Sequence, residues 1–211
     1  MNHTPDWRTA LRCATSSLHS QLDSQPVLSV FKGQDISATR YRDALILLYQ
    51  PHRYLESVVQ QAIEIKVIDY PYQHRSDDLA RDIQALGYET GKIAESGIPI
   101  TTSTPVNDSP TLNQVCGYLY LLEGSKQGSQ YIKKQLEKHA KVPLPSRFLT
   151  AEASMVQPNM NLFWQFLESI SLDESNMSDI TTAARNAFRF YIHAVQHGHL
   201  NTRLLDASLT D

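Results

Sequence analysis

Between Tyr41 and Val59, the residues Tyr41, Leu45, Leu48, His52, Leu55 and Val59 recur at spacings of three and four. That period lines one face of a helix and is incompatible with the two-residue alternation of a half-buried strand. The same spacing returns along the chain. Leu11, Leu18 and Leu22 carry it near the start, and Leu112, Val115, Leu119 and Leu122 begin a long helix running to about His139. Eight glycines in 211 residues are too few for a turn-rich β fold, and no alternating segments bounded by hairpin turns occur. The expected architecture is all-α, a single domain over residues 1–211.

Local signals mark the helix ends. Thr4-Pro5 reads as an N-cap followed by proline at the first helical position, and Ser109-Pro110 repeats the pattern. A second helix should open near Ser37, with Pro51 kinking or splitting it. Asp77 to Leu86 reads as a shorter helix stopped at Gly87, and residues 88–110 read as loop. Pro143 and Pro145 end the long helix. Two more helices are expected, from Met160 to Ile170 and from Ser178 to Gln196, with Gly198 as the stop.

Composition removes several function classes. Hydrophobic residues make up 41% and charged residues 19%, which supports a packed core rather than disorder. The net charge of −3 gives no basic footprint for nucleic acid. No run approaches the roughly 20 apolar residues of a membrane-spanning helix, and no basic-then-apolar leader opens the chain. Cys13 and Cys116 stand far apart without zinc-ligand spacing, so a reducing cytoplasm is the expected location.

Phosphate-loop, dinucleotide, zinc-protease and serine-hydrolase motifs are all absent. No glutamate has a histidine three residues on, which excludes the usual di-iron pattern of helical bundles. Gly124 and Gly128 stand out inside the long helix, because each interior glycine costs about 1 kcal/mol relative to alanine. Four apart, they share one bare face with Gly117 and Tyr120 nearby, suited either to a flat ligand or to close packing of another helix. His19 follows Arg12 by seven residues, two turns and about 10 Å along the same face. An imidazole and a cation so placed suit a flat metal cofactor with acidic groups at one edge, although single histidines are commonly surface or core residues. His193 and His197 have chelating spacing with His199 beside them, but histidines in a last helical turn also favour the helix dipole.

The run Gly117-Tyr118-Leu119-Tyr120-Leu121-Leu122-Glu123-Gly124-Ser125-Lys126-Gln127-Gly128 resembles the distal helix of the haem oxygenases, in their soluble bacterial iron-acquisition branch. Leu11 to Leu22 is similar to the proximal segment, and Phe163-Trp164-Gln165-Phe166-Leu167 and Ala187-Phe188-Arg189-Phe190-Tyr191 are similar to the last two helices. The likeness spans roughly residues 7–195, leaving a short C-terminal tail. It implies a helical fold holding haem b between a proximal and a distal helix, with haem as both cofactor and substrate. Biliverdin, ferrous iron and carbon monoxide would be the products, and O2 and electrons from a reductase, ferredoxin or similar donor protein would be consumed.

The resemblance also implies residue roles. His19 would be the proximal ligand of the haem iron, and Gly124 and Gly128 would let the distal helix lie across the haem face. Arg12, Lys126 and Tyr191 would contact the haem. Arg12 would anchor the propionates, giving the α-meso orientation, with Lys126 as a rival anchor that would rotate the ring. Ser125 stands where many members carry an aspartate that organises distal water, so proton delivery would rest on backbone and water. Ser129 replaces a glycine of many members and narrows the pocket. Two other functions stay open at this point: haem sequestration without turnover, and a thiaminase-like helical enzyme using a cysteine nucleophile.

Overall fold

A computed structural model describes residues 6–33, 36–89, 91, 110–150, 156–170 and 173–207. These residues form α1 (Trp7–Asp23), a 3-10 helix (Pro26–Lys32), α2 (Ala38–Glu64), α3 (Ser76–Ala85), α4 (Leu112–His139), α5 (Arg147–Thr150), α6 (Val156–Ser169) and α7 (Glu174–Ala207). No strand occurs among the described residues, and no helix is long and apolar enough to cross a membrane. The most extensive contact is between α4 and α7, with α1 and α2 also laid against α7.

Side-chain oxygens start the helices. Asp6 Oδ1 accepts from the Thr9 N–H at 3.2 Å and caps α1, while Thr4 and Pro5 lie outside the described residues. Ser37 caps α2 as expected, and Pro51 sits inside that helix without splitting it. The cap of α4 is Thr111 rather than Ser109. Its hydroxyl accepts from Gln114 N–H at 3.3 Å while the Gln114 side chain accepts from Thr111 N–H at 3.0 Å, a reciprocal pair that satisfies two otherwise orphaned donors. Most of the expected 88–110 loop lies outside the described residues. Gly198 does not stop α7, which runs on to Ala207. Positive φ occurs among the described glycines only at Gly33 and Gly87, so Gly198 keeps ordinary helical backbone.

The apolar stripes meet in two clusters. The larger joins α1, α4, α6, α7 and the C-terminal half of α2, around Leu11, Leu55, Leu119, Phe163 and Ile180. The smaller joins the 3-10 helix, the N-terminal half of α2, α3 and α5, around Val30, Leu45, Leu79 and Phe148. Gly117 brings α4 onto α7. A Cβ there would lie 2.6 Å from both Ala183 Cβ and Ala184 N and 2.7 Å from Ile180 O.

Candidate active site

A cavity of about 830 Å³ opens between α1 and α4, floored by α7 and closed at its ends by the 3-10 helix and α6. That volume lies within the range of small-molecule and cofactor pockets. Arg12 and His19 line it from α1, Gly124, Ser125 and Gly128 from α4, and Phe188 and Tyr191 from α7.

The glycines answer the question that their spacing left open. A Cβ on Gly124 or Gly128 would meet nothing within 4 Å, so neither glycine serves helix packing; that task falls to Gly117 alone. Backbone is thus presented bare to the cavity over one turn of α4. Facing it, His19 packs on the Phe188 ring with centroids 5.7 Å apart. Its Nδ1 lies 3.2 Å from Asp23 Oδ2, one turn later on α1. That hydrogen bond raises the imidazole pKa, with partial burial opposing. When the ring is neutral, Nδ1 carries the proton toward Asp23 and Nε2 keeps its lone pair, the arrangement that orients metal-ligating histidines.

Arg12 lies exposed at the cavity edge without an ion-pair partner among the described residues, whereas its neighbour Arg8 is paired with Glu168 at 3.0 Å. Lys32 also lines the edge. Lys126, expected as a second anchor, is not there. It is 2% exposed, its Nζ donates to Glu123 Oε1 at 2.9 Å, and it lies 4.5 Å from the Tyr72 ring centre. Burial lowers its pKa, with Glu123 opposing. An ammonium so enclosed has no reach toward a ligand in the cavity.

Behind α4 stands a buried polar network of which the sequence reading isolated only single members. His52 lines the cavity and is 1% exposed, and its Nδ1 lies 2.8 Å from the Tyr191 hydroxyl. Its Nε2 lies 3.1 Å from Glu56 Oε1 but out of line for a full hydrogen bond. Glu56 also accepts from Tyr72 Oη at 2.8 Å, from Arg75 N–H at 2.8 Å and from Ser76 N–H at 2.9 Å. Burial alone would raise its pKa, yet the His52 and His74 contacts and these donors hold it far below the carboxylate range. Burial lowers the His52 pKa and pushes the Tyr191 phenol well above 10. With Glu56 ionised and accepting only, the network assigns the proton of neutral His52 to Nε2, leaving Nδ1 to accept from Tyr191. His52 and Glu56 stand four apart on α2, a legible pairing signal; Arg75 had none.

The other histidine pair stands away from this cavity. His193 and His197 stack at 4.0 Å, and no cluster of three or more metal-ligating side chains occurs among the described residues.

The His19 imidazole, a bare helical turn across the cavity from it and a cation at the edge make a cavity suited to one flat ligand between two helices. The residues fit haem: the open space over Gly124 and Gly128 would admit a planar ring, and one axial nitrogen suits iron already held by a macrocycle. No curated protein sequence matches the chain. Among solved structures, the fold is similar to a heme oxygenase from Neisseria meningitidis (TM-score 0.67, 22% identity, 90% of each chain). It is also similar to the Leptospira interrogans heme oxygenase (TM-score 0.69, 17% identity, 90% of this chain and 98% of that one). Heme oxygenase-1 from Synechocystis sp. PCC 6803, solved in complex with heme, aligns at TM-score 0.65 and 18% identity over 97% of this chain and all of its own. Residues 6–197 match the family described as Heme oxygenase, and the chain belongs to that family. It is an enzyme of haem degradation.

Proposed function

We propose that the chain converts haem b to biliverdin, ferrous iron and carbon monoxide, using O2 and electrons from a separate donor protein such as a reductase or ferredoxin. The observation that carries this reading is the pairing, across one cavity, of His19 on α1 with open backbone at Gly124 and Gly128 on α4. Haem, when bound, supplies both the iron that activates O2 and the ring that is opened. The chain supplies position, water control and protons.

His19 would hold the haem iron through Nε2, with the ring oriented by the Nδ1 contact to Asp23. Gly124 and Gly128 would let α4 lie close to the bound ring, with bare backbone facing it. Arg12 holds the carboxylates of the propionate edge, and a bidentate guanidinium pair fixes in-plane rotation better than a flexible ammonium. With Lys126 locked on Glu123, the remaining rival cation is Lys32. An anchor at Arg12 would favour the α-meso position, as the family resemblance implies. Tyr191 and His52 would add a hydrogen-bonded pair to the cavity wall. A cytoplasmic site accords with the free cysteines, and the ferrous iron released would serve iron acquisition.

The cysteine-nucleophile alternative loses its buried candidate, because burial pushes the Cys116 thiol up to about 12. Sequestration is separated by experiment. Haem-loaded protein is mixed with O2 and a reductant, and the pigment and gas are identified. Biliverdin with carbon monoxide is the expected result; an unchanged haem spectrum after many equivalents of reductant means sequestration.

A further inference from the structure

Arg75 reaches two cavity-lining serines of α4 from outside the cavity. Arg75 does not line the cavity and is 1% exposed. Its backbone N–H is anchored on Glu56, and its guanidinium crosses from the start of α3 to α4. There Nη2 donates to Ser125 Oγ at 2.5 Å and Nη1 donates to Ser129 Oγ at 3.1 Å. A third bond to Phe148 O at 3.3 Å and the Phe148 ring, 4.6 Å from the guanidinium carbon, fix the plane of the fork.

Both serines have already used their own protons. Ser125 Oγ–H donates to Leu122 O at 2.7 Å, and Ser129 Oγ–H donates to Ser125 O at 3.0 Å. A hydroxyl has one proton and two lone pairs. With the proton on the helix and one lone pair on Arg75, each hydroxyl has only one lone pair left. Ser125 and Ser129 both line the cavity, directly after Gly124 and Gly128.

We infer that Arg75 pins Ser125 and Ser129 as hydrogen-bond acceptors toward the cavity, so that two neutral serines orient water there as a carboxylate would. A water that meets either lone pair must donate one O–H to it, which turns its second O–H into the cavity. Without the fork, each hydroxyl keeps its bond to the helix but has two lone pairs open instead of one, and that single orientation is lost. Arg75 is thus a positioning residue acting through the serines, and a bare charge in its place is insufficient. The inference rests on the reading that the cavity takes haem.

Carbon monoxide on ferrous haem provides a readout independent of turnover, because O–H groups aimed at its oxygen lower the C–O stretch. Arg75→Lys keeps the charge but not the fork. It should raise the stretch in the otherwise unaltered protein and leave it unmoved in a Ser125→Ala, Ser129→Ala background. The serine pair alone should raise it too, and an unchanged stretch there overturns the inference whatever Arg75→Lys does. Equal shifts from Arg75→Lys in both backgrounds overturn it as well, because Arg75 would then act without the serines. If the unaltered protein binds no haem, the functional reading falls and the inference with it. If haem binds through His19 but the stretches behave as in either overturning case, only the inference falls.

Discussion

Three glycines of α4 give opposite answers to the same substitution. At Gly124 and Gly128 an added Cβ touches nothing within 4 Å, so alanine brings only its helix propensity, about 1 kcal/mol per site. In a chain of this size that raises the melting temperature of the haem-free protein by about 2–4 °C. At Gly117 the same methyl would lie 2.6 Å from Ala183 Cβ and Ala184 N, and part of that obstacle is backbone. Overpacking of this kind costs about 1–3 kcal/mol, which cancels the propensity gain or exceeds it by about 2 kcal/mol. Urea or thermal unfolding of the three haem-free alanine variants measures the contrast. Gly128→Leu extends it: the fold should hold while haem affinity falls by about tenfold or more, since each tenfold is only about 1.4 kcal/mol. Equal destabilisation at all three glycines would refute the assignment of Gly124 and Gly128 to the ligand.

Arg12→Ala would remove the proposed charge-assisted contact to the propionates, worth about 1.5–3 kcal/mol, so chromatography of the product should show the α isomer falling and other isomers rising; an unchanged distribution would move the anchoring role to Lys32. Asp23 raises the His19 pKa, and iron binds only the neutral ring. Ligation in the unaltered protein is therefore lost as pH falls through that raised value, and Asp23→Asn should move the acid midpoint of the spectrum to lower pH. Glu56 is held well below its ordinary 4.5. The stability it contributes is present above pH 4.5 and lost as pH falls through its depressed value. Denaturant unfolding between pH 7 and 3 should show the gap between unaltered protein and Glu56→Gln constant above pH 4.5 and narrowing below it without closing; parallel curves throughout would contradict the network.

Periodicity made the long helices legible because burial of one face dictates the spacing that builds α1, α2, α4 and α7. The 3-10 helix at Pro26–Lys32 and the single turn of α5 carry too few residues to show a period. Gly198 misled because glycine is permissive in the helical region as well as outside it. Lys126 misled through proximity in sequence. At 3.6 residues per turn it stands about 200° around α4 from Gly124, on the far side from the cavity, facing its Glu123 partner. Gly124 and Gly128, four apart, do share a face, and the structure separates them from Gly117 because its contact, about 10 Å further along the axis, is α7. Arg75 was beyond reach of the sequence, since it caps a short helix in a segment without a repeat and meets its serines across 50 residues of chain.

The proximal ligand is the claim on which the site depends, and the absorbance spectrum of the ferric haem complex tests it. His19→Ala should lose the histidine-ligated spectrum, while folded His52→Ala retains it with haem bound one to one. Loss of ligation in His52→Ala together with an unaltered spectrum in His19→Ala would place the iron on the other side of the ring and contradict the account.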